Sequence, residues 1–166
     1  TDFNGQQTHY QYDDNNRLTR AEYADGRIEQ NQYDANGNKT RITVTHNGQT
    51  RETQNHYDTQ NRLIQQTQPD GAQLNYSYDA NGNKTQLTIS HNGQTWETNY
   101  TYDNLNRMAS VTDSTGTTTY GYDNIGNLTS ISRPNNTSST YSYDSLNRLT
   151  QLQHQDGLPV LQELKT

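Results

Sequence analysis

Residues 33–63 read YDANGNKTRITVTHNGQTRETQNHYDTQNRL, and residues 78–108 read YDANGNKTQLTISHNGQTWETNYTYDNLNRM. The two stretches align without a gap and agree at 20 of 31 positions. Self-similarity at a fixed period marks a repeat architecture, so this 45-residue duplication decides how the rest is read. Each copy holds the dipeptide Tyr-Asp twice. Working outward, it occurs seven times: Tyr12-Asp13, Tyr33-Asp34, Tyr57-Asp58, Tyr78-Asp79, Tyr102-Asp103, Tyr122-Asp123 and Tyr143-Asp144. The intervals are 21, 24, 21, 24, 20 and 21 residues, so one array of about seven units is expected over residues 1–166. Two unit types alternate. YDxxNRL or YDxxNRM begins at Tyr12, Tyr57, Tyr102 and Tyr143, and YDxxGN begins at Tyr33, Tyr78 and Tyr122.

Every unit carries two turn signals. Directly after tyrosine comes Asp-x-x-Gly or Asp-x-x-Asn, in which the carboxylate can accept a backbone N–H ahead of it and the fourth residue tolerates positive φ. About halfway to the next tyrosine lie Asp25-Gly26, Asn47-Gly48, Asp70-Gly71, Asn92-Gly93 and Asp156-Gly157, with Thr115-Gly116 and Asn135-Asn136 as weaker forms. Such pairs between strand-like runs are hairpin signals. Turn glycines are accordingly expected at Gly26, Gly37, Gly48, Gly71, Gly82, Gly93 and Gly126. An Asn4-Gly5 turn is expected near the start, and helical periodicity is absent until Gln162–Thr166, where it is too short to count.

Between turns the sequence alternates with period two. Ile42 and Val44 alternate with Arg41, Thr43 and Thr45, and tyrosines sit two apart at Tyr10/Tyr12, Tyr76/Tyr78, Tyr100/Tyr102, Tyr120/Tyr122 and Tyr141/Tyr143. Residues two apart share a strand face, so stacked hairpins would align the rings on one side. The expected fold class is all-β: tandem hairpins in one continuous, spiralling antiparallel sheet, with strands of six to eight residues.

Composition supports a fold of this kind. Of 166 residues, 22 are Leu, Ile, Val or Phe, too few for an ordinary oily core, while Asn plus Gln number 39, Thr 25 and Tyr 13. Net charge is only −6, so the high charge typical of disorder is missing. Tyrosine must then supply most of the buried area. Twelve Lys plus Arg, scattered singly, leave no basic excess for phosphates, which argues against nucleic acid. No run approaches the roughly 20 apolar residues of a membrane helix, and no signal peptide opens the chain. Zero cysteines excludes disulfides, thiol nucleophiles and thiolate metal sites together.

Seven in-register YD units, each followed by a strand, a DG or NG turn and a returning strand, resemble the RHS, or YD-repeat, proteins. The resemblance implies a long β-sheet of hairpins that in full-length members closes into a hollow shell. Members that release a C-terminal toxin carry a self-cleaving region with DPxG-type motifs. No Asp-Pro occurs here; the prolines are Pro69, Pro134 and Pro159, so autocleavage does not carry over. The implied role is a non-catalytic structural segment of such a shell, enclosing or presenting a toxin or effector, secreted or at the cell surface. Its partners would be the remainder of its shell, or further copies of itself joined through sheet edges. The alternatives are a self-assembling extracellular fibre or adhesin, and a repeat binding cell-wall or surface glycan.

Bland readings absorb most candidate sites. Catalysis needs a unique constellation, whereas the Tyr-Asp carboxylates are equivalent, so Asp13, Asp34, Asp58, Asp79, Asp103, Asp123 and Asp144 read as turn caps. Asp13-Asp14-Asn15-Asn16 comes nearest to a calcium loop but lacks the closing acidic ligand. His46 and His91 flank duplicated turns, and His9, His56 and His154 are isolated, without zinc spacing. No G-x-S-x-G, P-loop or dinucleotide fingerprint is present. No catalytic residue, cofactor or metal is expected. Arg17, Arg62, Arg107 and Arg148 recur at one register, which favours a salt bridge or hydrogen bond between units. Trp96 stands where the first long repeat has Arg51, marking a local contact or a filled gap.

Overall fold

The computed structural model describes residues 5–157, so Asn4 and the tail Gln162–Thr166 lie outside the described residues. Fourteen strands follow one another in sequence order in one antiparallel sheet. Two compact units divide the chain: one runs to Ser77 and adds Thr88–Thr95, and the other comprises Tyr78–Leu87 and Trp96 onward.

In the first, β1 (His9–Tyr12), β2 (Leu18–Glu22), β3 (Ile28–Tyr33), β4 (Lys39–His46), β5 (Gln49–Tyr57), β6 (Leu63–Thr67) and β7 (Gln73–Tyr78) pair each with the next. β8 (Lys84–His91) belongs partly to each unit. In the second, β9 (Gln94–Tyr102) from Trp96 onward, β10 (Met108–Asp113), β11 (Gly116–Tyr122), β12 (Leu128–Ser132), β13 (Ser138–Tyr143) and β14 (Leu149–Gln155) repeat the pattern. Because every turn reverses the chain, the YD turns of each unit line one rim of its strands and the mid-repeat turns line the other.

The YD turn has one backbone in all seven copies. In the first, the Asp13 N–H donates to the Arg17 carbonyl at 3.0 Å and the Asn16 N–H to the Asp13 carbonyl at 2.9 Å, closing a three-residue loop. Its last residue is left-handed: Asn16, Asn61, Asn106 and Asn147 have φ of 59–61°, and Gly37, Gly82 and Gly126 have φ of 88–98°. The mid-repeat turns include two contrasting kinds. At Asn47-Gly48, φ is 50° and 74° in a two-residue loop joining the pair His46 and Gln49, the type I′ geometry that Asn-Gly favours. Asp25-Gly26 instead forms a three-residue loop like the YD turn, with the Tyr23 N–H on the Arg27 carbonyl at 2.9 Å. Asp25 accepts the Arg27 N–H, 3.0 Å away, which satisfies the wider loop. The 24-residue unit thus has strands of 8 and 9 residues around a two-residue turn, where the first 21-residue unit has strands of 5 and 6.

A β-bulge accompanies the YD turns. Tyr12 faces Leu18, but Gln11 faces Arg20, so Thr19 is the extra residue, and the same slip recurs at Tyr33, Tyr57, Tyr102, Tyr122 and Tyr143. The faces differ in character. In the first unit Asn31, Ile42 and Thr53 lie in one row and Glu29, Val44 and Arg51 in the next, beside Tyr33 and Tyr57. The opposite face is polar, with rows such as Gln30, Thr43 and Glu52. In the second unit Ser110, Thr119, Ser132 and Ser138 form such a row. Among the described residues Ala21 alone of the apolar side chains is fully buried, and Asn31, Asn55 and Ser139 are buried polar groups. Every tyrosine except Tyr10 and Tyr12 is half-buried, so the rings cover a face of the sheet and do not fill a closed interior.

A Cβ at Gly82 would meet nothing within 4 Å, so only the backbone, at φ +88°, resists substitution. Gly82→Asn should leave stability nearly unchanged, since asparagine holds this position in the sister turns. Gly82→Val should cost about 1–2 kcal/mol. Urea unfolding followed by circular dichroism compares the two.

Candidate functional site

The rim of YD turns is where this sequence concentrates its repeated chemistry. Each aspartate clamps its own turn. Asp13 Oδ1 accepts the N–H groups of Asn15 (3.0 Å) and Arg17 (2.9 Å), and its Oδ2 accepts Arg17 Nε at 2.7 Å. Asp58, Asp103 and Asp144 hold Arg62, Arg107 and Arg148 in the same way, each at 2.7 Å. In the YDxxGN units asparagine replaces arginine: Asp34, Asp79 and Asp123 accept the side-chain amides of Asn38, Asn83 and Asn127 at 2.9 Å.

These donors lower the aspartate pKa values below the ordinary range. The chief cause at Asp13, Asp58, Asp103 and Asp144 is the backbone N–H of the arginine four residues on, and at Asp34 and Asp79 it is the amide of Asn38 or Asn83. At Asp123 burial pushes upward most strongly among single causes, yet the combined donors of Asn127, Ile125 and Gly126 prevail.

The clamp also reaches the neighbouring repeat. Arg17 Nη1 donates to the Asp34 carbonyl at 3.0 Å while its guanidinium lies 4.7 Å from the centre of the Tyr33 ring. Arg107 does the same to Asp123, at 3.1 Å, and to Tyr122, at 4.5 Å. Such a stacked, forked cation is a role for arginine that lysine cannot fill. The salt bridge therefore lies within a turn, and the contact between repeats is a hydrogen bond with a cation–π stack. In the other direction of alternation, Asn38 donates to Asn61 Oδ1 (2.8 Å), Asn83 to Asn106 (2.9 Å) and Asn127 to Asn147 (3.3 Å).

Tyrosine supplies the third tie. The hydroxyl of Tyr33 donates to the Leu18 carbonyl at 2.8 Å, at the foot of the preceding bulge. Tyr57 to Lys39, Tyr102 to Lys84, Tyr122 to Met108 and Tyr143 to Leu128 repeat it at 2.9–3.0 Å. Burial raises the pKa of Tyr33 and Tyr102, which keeps these hydroxyls protonated donors. Two residues upstream, Asn31 and Asn55 take the place of the second tyrosine and give the same carbonyls a further donor, at 3.2 and 2.8 Å.

The first and last turns show what a neighbour contributes. Tyr12 is 56% exposed, and every residue of β1 and of β14 is exposed. The Arg148 side chain is 72% exposed, against 26–27% for Arg17, Arg62 and Arg107.

Outside the rim, the sequence candidates stay apart. Among the described residues no group of three or more His, Asp or Glu is placed to hold a metal ion. His154 Nδ1 meets Ser139 Oγ at 2.9 Å, and Ser139 also accepts Arg133 Nη1 at 3.1 Å. His91 lies 3.8 Å from Asp70. Trp96 is about half exposed. Positive φ at the fourth residue of the Asp-x-x-Asn turn was expected and is found at Asn16, Asn61, Asn106 and Asn147, and Gly116 of the Thr115-Gly116 turn has φ +126°. The carbonyls that accept the tyrosine hydroxyls were not singled out by sequence reasoning.

Recurrent hairpins whose YD turns share one geometry and are tied to their neighbours define a tandem β-hairpin repeat protein. The chain belongs to the RHS repeat family, whose model matches residues 1–28, 57–90, 109–137 and 122–158, more than half of its length. The fold agrees with solved structures. The TcdB2–TccC3 protein without its hypervariable C-terminal region superposes with a TM-score of 0.83 at 20% identity, over 95% of this chain. The Photorhabdus luminescens Tc holotoxin pore gives 0.80 at 19% identity, over 90%. In each case this chain spans 9% of the solved chain. Comparison with curated protein sequences gives no match.

Tyr122→Phe leaves the Met108 carbonyl without its hydroxyl donor and should cost about 1 kcal/mol, whereas Tyr12→Phe should cost almost nothing. Thermal unfolding of the two variants makes the comparison. Acid should loosen the whole rim. A carboxylate with a lowered folded-state pKa adds stability above its unfolded value, about 3.9, and loses it as pH falls through the folded value. Stability should therefore be level above about pH 5 and decline through pH 4 and below. An acid titration by circular dichroism tests this, and Asp103→Asn should flatten the decline.

Proposed function

We propose that the chain is a non-catalytic structural segment, a single YD-repeat array over residues 1–166, that builds part of a secreted or surface β-shell enclosing or presenting a toxin or effector. The observation that carries this reading is the tie between repeats. Each turn is completed by the next through Arg or Asn on one side and the Tyr hydroxyl on the other, while Tyr12 and Arg148 lie exposed at the two ends. Such nearest-neighbour stacking extends without limit of its own, which suits a wall. Family membership supports the structural role, and the likeness to Tc toxin proteins supports a shell. The aspartates act as turn clamps and have no substrate; the turn glycines serve the loops. No helix among the described residues is long and apolar enough to cross a membrane.

Strands with exposed edges can also join copies head to tail, which makes a fibre the competing outcome. Expression together with the flanking coding sequence, followed by electron microscopy, separates them. Closed hollow particles that protect a downstream domain from protease are expected. Filaments, or a downstream domain digested as fast as when alone, would overturn the shell.

A further inference from the structure

The long hairpin β4–β5 ends in a notch of about 300 Å³ lined by Arg27, Val44, His46, Asn47, Gln49 and Arg51. We propose that this notch binds a tetrahedral oxyanion, sulfate or phosphate, either free or as an ester group on a larger molecule.

Unspent charge is the first reason. Arg17, Arg20, Arg41, Arg62, Arg107 and Arg148 are each paired with a carboxylate, and Arg133 donates to Ser139. Among the described residues Arg27 and Arg51 have no carboxylate partner, and both face the same notch. In a protein of net charge −6, two unneutralised guanidiniums at one place are a local exception to the field.

The nearby carboxylates have other partners: Asp70, which lines an adjoining pocket with Arg51, accepts the Ala72 N–H at 3.0 Å and lies 3.8 Å from His91 Nε2. Glu29 lies in the row of Val44 and Arg51, but its Oε1 accepts Asn31 Nδ2 at 3.1 Å and lies 3.9 Å from Lys39 Nζ. Asp25 accepts the backbone N–H of Arg27. Arg27 is also pre-ordered: its guanidinium stacks 3.9 Å from the centre of the Tyr23 ring, which leaves its in-plane N–H groups for a ligand. Planar forks of this kind match the oxygen spacing of sulfate and phosphate. The amides of Asn47 and Gln49 add neutral donors on the same wall.

The duplication provides an internal control. Forty-five residues on, the positions of Arg27, His46 and Arg51 hold Ala72, His91 and Trp96. The second copy keeps the hairpin and the histidine and has neither guanidinium, and its His91 faces Asp70. The substitution of Arg51 by Trp96 between the copies is thus a difference in ligand chemistry on a common scaffold.

Titration of the ¹⁵N-labelled protein with sodium sulfate, inorganic phosphate and a monosaccharide sulfate, each against sodium chloride at matched ionic strength, tests the site by NMR. Saturable shifts confined to Arg27, His46–Gln49 and Arg51 are expected, with a dissociation constant on the order of 1 mM. Tighter binding of the sugar ester would identify an ester-borne group, and equal binding a free ion. Arg27→Ala with Arg51→Trp should weaken binding at least tenfold. Shifts that chloride reproduces, or sulfate binding that survives loss of both arginines in a folded variant, would overturn the assignment.

Discussion

The hydrogen bond from a tyrosine hydroxyl to a main-chain carbonyl of the preceding repeat organises this molecule. The carbonyls of Leu18, Lys39, Lys84, Met108 and Leu128, each just past a YD turn, are met by the next repeat's tyrosine hydroxyl. An acceptor that loses its donor on burial is costly, so this bond makes each repeat depend on its successor. Tyrosine is suited to the task because its ring covers the sheet face while its tip reaches the backbone. This explains how a chain with so few aliphatic residues can order: cohesion is carried by polar groups at fixed places, with apolar cover spread thinly over one face.

The arginine and asparagine turns are two solutions to one problem. Both donate to the aspartate of their own turn, and both spend a remaining N–H on the neighbour. Arginine reaches a main-chain carbonyl and a ring; asparagine reaches the side chain of a left-handed asparagine. The alternation of unit types therefore follows from the reach of the donors. A left-handed Asn serves as acceptor only in the units that follow an Asn-type turn, and there it is not interchangeable with glycine even though both tolerate the backbone.

Much of this was legible before any coordinates. Seven Tyr-Asp pairs placed seven hairpin turns, and the alternation around Ile42 and Val44 assigned the strands and their faces. The strand order follows because short turns leave no room for crossovers. Other features were hidden in how side chains choose between equivalent local partners. Asp-Gly and Asn-Gly carry the same hairpin signal, yet Asp25 accepts the N–H two residues ahead and opens a wider loop, while Asn47 does not. The arginines at one register pointed to a salt bridge or hydrogen bond between units; Arg17 and Arg107 make the hydrogen bond, while the ion pair lies inside the turn, because an aspartate four residues away costs less chain entropy than one twenty residues away. Asn31 and Asn55 interrupt the tyrosine pairs since the carbonyls at Leu18 and Lys39 accept a second donor there. A bulge leaves no composition signal at all beyond the length of its hairpin.

The contrast between the two mid-repeat turns has a consequence for how such a wall can diversify. Passing from the first 21-residue unit to the 24-residue unit, the strands lengthen from 5 and 6 residues to 8 and 9, and a three-residue loop gives way to a two-residue one. All of this change is taken up away from the YD rim, whose geometry is the same in both. One border of the sheet is therefore held to a constant template, while the other is a battlement in which any hairpin may stand taller than its neighbours without altering the register below. Insertions, new contacts and new ligand pockets can accumulate along that uneven border one repeat at a time, and the fold need not be re-solved for any of them.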